Sequence, residues 1–324
     1  MDRNPQDWKA WAERLRSTLA EAVRAHPVDA ILLSGGLDTS ILAYLLAQGS
    51  RPVALTVLIQ DAPRPDEPFA LELARSLRLE HHVLRVDQES LERGIRWTIQ
   101  VLGSFDPMTV RNQAVIAVAL DKLVELGLGS AMTGDGADEL FAGYSFLFSL
   151  DAAALEPALR GLWSQMSFDS LPMGERLGLR MAAPYLEPSV RSIAEEVAPH
   201  WLAGEHEGPR VGKWLLRKAF EHALPSHFIW RRKDPIEVGS GASVLPQRYR
   251  DAIHEGDFRE RANRRRKEHG IRLRDPEHLH YFDLYLEVHG PPEPGLGGPK
   301  QCPDCGGGLE LSRRFCKRCG AYPV

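Results

Sequence analysis

An apolar stretch, VDAILL at residues 28–33, runs directly into SGGLDTS at 34–40 and then into ILAYLLAQG at 41–49. A buried strand, a glycine turn and a helix in that order demand a layered α/β structure, with the turn at the carboxyl end of the strand. Gly35 and Gly36 permit close backbone approach and conformations closed to other residues. The amides that open the next helix then face an anion. Ser34, Thr39 and Ser40 add hydroxyl donors. Asp38 is the odd member, because a carboxylate repels phosphate unless a cation lies between them. Mg²⁺ binds both kinds of oxygen. The G-x-x-x-x-G-K-[ST] pattern of a Walker loop is absent.

The alternation continues along the chain. Spacing predicts a helix over 5–25, with Trp8, Trp11, Leu15 and Leu19 on one side. Strands are expected at 52–59, 81–86 and 129–134, and helices at 39–49, 65–79, 88–101 and 109–126. Apolar strands separated by helices predict a doubly wound parallel sheet covered on both faces, an α/β fold class. In such sheets ligands bind beyond the carboxyl ends of the strands. TGDGADE at 133–139 follows a strand just as SGGLDTS does, so the two turns are expected on one edge. Asp135, Asp138 and Glu139 lie within five residues. Carboxylates so close require a metal, a cation or a proton among them.

Residues 145–290 read as a largely helical C-terminal part. The expected organisation is an N-terminal helix (1–27), a main domain (28–289), a Gly/Pro-rich linker GPPEPGLGGPKQ (290–301) and a small cysteine unit (302–320). All four cysteines fall in that unit. Cys302, Cys305, Cys316 and Cys319 form C-x₂-C-x₁₀-C-x₂-C, with a glycine after each pair. That spacing predicts a zinc ribbon, a closed structural Zn²⁺ site that a unit this small needs in order to fold. Two disulfides are the alternative, disfavoured in a reducing compartment. Net charge is −4, which gives no general reason for a nucleic-acid partner. The basic run RERANRRRKEHGIRLR (259–274) and Arg313, Arg314, Lys317 and Arg318 of the ribbon keep RNA open as a partner. No apolar stretch is long enough to span a membrane, and the N-terminus lacks a signal-peptide pattern, so a cytoplasmic location is expected.

S-G-G-x-D-[ST]-S resembles the PP-loop of the ATP pyrophosphatases. Together with TGDGADELFAGY (133–144), SFDPMTVRNQ (104–113), PYLEPSV (184–190) and KWLLRKAFEHALPSHFIWRRKDP (213–235), it resembles the synthetase domain of asparagine synthetases and of the related beta-lactam synthetase, over residues 28–240. The resemblance implies an adenine nucleotide alpha hydrolase-like fold. It also implies an AMP-forming amide ligase that uses ATP and Mg²⁺, adenylates a carboxylate, releases pyrophosphate and passes the acyl group to ammonia or an amine. Aspartate with ammonia is the first candidate pair, although PYLE and KDPIEVGSG depart from the family near the acceptor. By the same resemblance Ser34, Gly35, Gly36, Asp38, Thr39 and Ser40 hold pyrophosphate, and Asp38 and Asp138 bind Mg²⁺. Val57 lies along the adenosine, and Gly134 approaches the nucleoside by backbone. Asp135 serves the acceptor and its amine, and Lys233 is the catalytic lysine over the α-phosphate. Arg111 and Arg217 are weaker candidates, each nearly as consistent with a surface or structural ion pair.

Complete asparagine synthetases carry a glutaminase whose nucleophile is an N-terminal cysteine. Here the first cysteine is Cys302, so the amine is expected from free ammonia, a separate amidotransferase, or an amine on another substrate. Two other function classes compete. One is a tRNA-modifying enzyme that adenylates a base for thiolation or amination, with sulfur brought by a carrier protein or by the ribbon itself. The other is a non-catalytic ATP-binding scaffold.

Overall fold

The computed structural model describes residues 7–232, 235–293, 295 and 298–324. The first half alternates as expected: α1 (Trp8–Ala25), β1 (Ala30–Leu32), α2 (Leu37–Leu46), β2 (Val53–Ile59), α3 (Glu67–Ser76), β3 (His81–Val86), α4 (Gln88–Leu102), α5 (Pro107–Glu125) and β4 (Ser130–Met132). A short α6 (Ala137–Leu140) follows, and β5 (Arg180–Ala182) completes a five-stranded sheet of order β3-β2-β1-β4-β5. The pairs β1–β2, β1–β4 and β4–β5 are parallel, with Ala30 opposite both Val53 and Ala131.

The strand order reverses between β1 and β4. The chain winds outward from β1 to β2 and β3, then returns to the other side of β1. SGGLDTS leaves β1 and TGDGADE leaves β4, so both turns emerge at that reversal, where α/β sheets bind their ligands.

Several boundaries move by a few residues for local reasons. α2 starts at Leu37 rather than 39, because Gly36 is extended and acts as N-cap. α5 starts at Pro107 rather than 109. Asp106 caps it, its Oδ2 accepting from Thr109 N (3.0 Å) and Thr109 Oγ1 (2.7 Å), and proline suits the first helical position. The basic run is helical over Glu255–His269 and buries no residue. Part of its charge is paired: Arg259 with Glu255, and Arg261 and Arg265 with Asp283. Within 290–301, Lys300–Gln301 pairs antiparallel with Gly308–Leu309.

The chain divides into two compact units. The first takes residues 1–56, 66–83 and 123–234. Its core joins Leu15 and Leu19 of α1, Ile31 and Leu33, Ile41 and Leu42 of α2, Phe141, Tyr185, Phe220 and Phe228. The second takes residues 57–65, 84–122 and 235–324. Its core joins Ile95 and Ile99 of α4, Phe105, Tyr281, Phe282 and all four cysteines. Burying each large apolar side chain contributes roughly 1.5–3 kcal/mol before conformational entropy is offset. Among the described residues, no helix is long and apolar enough to cross a membrane.

Candidate active site

The glycine turn is held from inside and outside. Thr39 Oγ1 accepts from Ser34 N (3.2 Å) and lies 3.0 Å from Ser34 Oγ, which in turn accepts from Gly36 N (3.1 Å). Gly35 has φ +79°, and a Cβ there would lie 2.7 Å from Asp66 O and 2.8 Å from Ala70 N. Glycine is therefore required twice over, for its conformation and for the approach of α3. Arg231 donates to Gly35 O (2.7 Å), pairs with Asp66, and lies 3.9 Å from the centre of the Phe69 ring. Ser34 is exposed, whereas Thr39 and Ser40 are buried.

Behind the turn sits a charge cluster centred on Lys213, which is 2% exposed. Its Nζ lies 2.5 Å from Asp38 Oδ2 and 2.7 Å from Asp138 Oδ1. Desolvation pushes the Lys213 pKa down, but Asp138 and Asp38 more than reverse this, and the group stays protonated. The backbone is shaped around this contact. Lys213 adopts a left-handed φ of +59°, and its N–H donates to Phe141 O (2.7 Å). A Cβ on Gly143 would lie 1.9 Å from Asp138 Oδ1 and 2.5 Å from Lys213 Cε. A Cβ on Gly134 would press against Asp38 Cβ and Thr39 Cγ2, both at 3.2 Å. Tyr185, from the PYLE stretch, donates its hydroxyl to Asp38 O (3.1 Å).

Asp135 and Glu139 have hydrogen-bond partners of their own. Asp135 accepts from Ser170 Oγ, and its N–H donates to Thr133 Oγ1 (3.0 Å). Burial raises its pKa, opposed by the Ser170 and Thr133 bonds and reinforced by Asp138. Glu139 accepts from Tyr144 Oη (2.5 Å), and burial raises its pKa too. Arg217 is buried: it donates to the carbonyls of Gly212 (2.9 Å), Ile229 and Arg231 (3.2 Å). Burial lowers its pKa to about 10, against the pull of Asp38 and Asp138.

The family model for asparagine synthase matches residues 10–195 and 169–279. The chain belongs to the asparagine synthase family. Its curated relatives include a glutamine-hydrolyzing asparagine synthetase of Zea mays, 27% identical over 229 residues (65% of this chain, 39% of that protein). A second, from Lotus japonicus, is 28% identical over 233 residues (65% of this chain, 39% of that protein). A probable asparagine synthetase of Dictyostelium discoideum is 26% identical over 262 residues (72% of this chain, 47% of that protein). The chain thus spans about two fifths to one half of the length of these relatives.

Against the asparagine synthase pattern, the first unit brings together the turn residues 34–40, Gly134, Asp138 and Lys213. The pattern alone did not single out Lys213, although it opens the KWLLRKAF motif. Lys233 lies outside the described residues; the chain just before it is fastened to the turn through Arg231 and Gly35 O. Val57 is half-buried on β2, and Arg111 on α5 pairs with Glu277 (3.1 Å), both within the second unit.

The four cysteine sulfurs converge within 4.8 Å of one another. Sγ–Sγ separations are 3.7 Å for Cys302–Cys319 and 3.6 Å for Cys305–Cys316. Tetrahedral thiolates at about 2.3 Å from Zn²⁺ would stand about 3.8 Å apart. The residues present therefore fit a closed four-thiolate metal site. The match to the family model ends at residue 279, before this quartet.

Proposed function

We propose that this asparagine synthase family member is an ATP-dependent, AMP-forming ligase that joins a carboxylate to ammonia or an amine. The convergence of Asp38 and Asp138 on buried Lys213, directly behind the SGGLDTS turn, supports this reading. The two carboxylate oxygens contact one ammonium at 2.5 and 2.7 Å, so they lie at most about 5 Å apart. They are hard oxygen donors on separate elements, α2 and α6, which suits Mg²⁺. Bound by Asp38 and Asp138, Mg²⁺ would neutralise charge on the triphosphate.

The chain's own groups do the rest. Ser34, Thr39 and the amides from Gly35 onward offer donors to the pyrophosphate portion. Lys213 keeps the carboxylate pair from repelling each other before nucleotide arrives. A carboxylate oxygen of the substrate attacks the α-phosphorus, and the bond to the bridging oxygen of pyrophosphate breaks. Lys233 offsets the charge that builds on the phosphoryl oxygens. The amine nitrogen then attacks the acyl carbon, and the bond to AMP breaks. Asp135 takes the amine's proton; its raised pKa makes it a stronger base than an exposed carboxylate. Aspartate and ammonia are the first substrates to test.

Carboxylate-dependent exchange of labelled pyrophosphate into ATP tests the first half of this sequence. Exchange that needs Mg²⁺ and aspartate and disappears in Asp38→Ala supports the reading. Nucleotide turnover with no exchange for any carboxylate would contradict it.

A further inference from the structure

The cysteine unit is built into the second unit by its own backbone. The turn between Cys316 and Cys319 presents three successive carbonyls outward, and each has a partner. Lys317 O accepts from Ser104 Oγ (2.7 Å), Arg318 O from Phe105 N (2.8 Å), and Cys319 O from Arg274 Nη2 (2.8 Å). Gly320 follows with φ +75°, and a Cβ there would lie 1.9 Å from Asp106 Oδ1. The carboxylate it abuts is the one that caps α5. The first cysteine turn is tied as well: Asp304 O accepts from Arg272 N (2.8 Å). Phe105 is fully buried, and its ring lies 5.0 Å from Phe282 and 5.2 Å from Tyr285, in the same apolar cluster as the four sulfurs.

We infer that metal bound by Cys302, Cys305, Cys316 and Cys319 acts as a clamp on Ser104–Asp106, and so positions the capped start of α5. The physical reason is how little apolar packing of its own backs the 316–320 turn, which two backbone bonds close, Gly320 N to Cys316 O (2.7 Å) and Cys316 N to Ala321 O (3.0 Å). Within 302–320 the only buried side chains other than the cysteines belong to Leu309. Units of this size hold their turns only with metal bound. When the four thiolates are tied to one ion, the 317–319 carbonyls face Ser104, Phe105 and Arg274. When they are not, those partners lose their acceptors together. The ribbon face that would otherwise be open to an RNA or protein partner is, at these carbonyls, occupied by this chain itself. The inference does not depend on which acid or amine the enzyme uses.

Coupling of this kind is reciprocal: what metal does for the segment, the segment does for metal. The test uses the full chain. Zinc content is measured by atomic emission, and amide hydrogen exchange is followed at 104–111 and at 213–220, before and after metal is stripped by a thiol-reactive mercurial with chelator. Stripping is expected to speed exchange at Phe105 by at least about tenfold, with 213–220 unchanged and protection restored once excess thiol has removed the mercurial and Zn²⁺ is added back. Ser104→Ala leaves every cysteine intact but removes the bonds of Ser104 Oγ to Lys317 O and Arg318 O and the one it accepts from Asp106 N; it is expected to bind zinc about 2–10-fold more weakly than the parent in competition with a chelator. Exchange at 104–111 that stays slow while 302–319 opens would overturn the inference. So would opening of both units alike, or an unchanged zinc affinity in Ser104→Ala.

Discussion

Lys213 is the residue on which the candidate site turns. It is buried, charged and held in a left-handed backbone conformation that a lysine rarely adopts. Removing one partner of a buried, hydrogen-bonded ion cluster typically costs about 3–5 kcal/mol, because the remaining charges are left uncompensated. Lys213→Met is therefore expected to lower unfolding stability by several kcal/mol and to abolish ATP binding; denaturant titration and calorimetry check the two separately. Lys213→Arg is not expected to restore binding, since a planar guanidinium does not fit where a Gly143 Cβ would already lie 2.5 Å from Lys213 Cε. Gly143→Ala is expected to drive Asp138 off the lysine and cut turnover by at least about tenfold with little change in far-UV dichroism, a cost of over about 1.4 kcal/mol in the barrier. Asp38 and Asp138 were legible in sequence because each sits in a short motif after an apolar strand. Lys213 was not, because a lone lysine 175 positions from Asp38 carries no local sign of burial.

At the scale of elements, the first four strands were legible because each is an apolar run between helices. β5 was not: it has three residues, Arg180–Ala182, with only Ala182 buried, so its apolar signal is too short to show within a helical region. The start of α5 moved because Asp106-Pro107 is a cap and a first helical residue, a local signal that periodicity alone passes over. Asp106→Ala is expected to cost about 1 kcal/mol of stability, read from the denaturation midpoint. α5 also meets the helix Pro276–His289 through Arg111 and Glu277. Burial pushes the Glu277 pKa up to about 7, against the pull of Arg111 and the Tyr281 hydroxyl, with Asp275 and Asp106 adding to the rise. A carboxyl that holds its proton more tightly folded than unfolded stabilises the fold at low pH and loses that effect as pH rises through its folded pKa. Stability is thus expected to fall between about pH 4.5 and 7, by on the order of 3 kcal/mol from this group. Glu277→Gln should flatten that slope in denaturation midpoints taken at pH 5 and pH 8. Equal slopes in parent and variant would contradict the assignment.

At the scale of the whole molecule, the reversal of strand order between β1 and β4 explains why two glycine turns nearly a hundred residues apart belong to one site. The five-stranded sheet and membership of the asparagine synthase family agree with that placement. What the sequence could not show is where the cysteine unit sits. Its spacing announces a metal, but its contacts with Ser104, Phe105 and Arg274 join residues roughly 45–213 positions apart, and spacing is silent about those. The proposed reaction turns on which bond of ATP is broken. The most direct measurement incubates the protein with ATP, Mg²⁺, aspartate and ammonium and separates AMP plus pyrophosphate from ADP plus phosphate, with Asp38→Ala alongside. AMP and pyrophosphate formed in equal amounts, dependent on aspartate and absent in the variant, is the predicted result. ADP and phosphate formed in a manner that depends on Asp38 would contradict it.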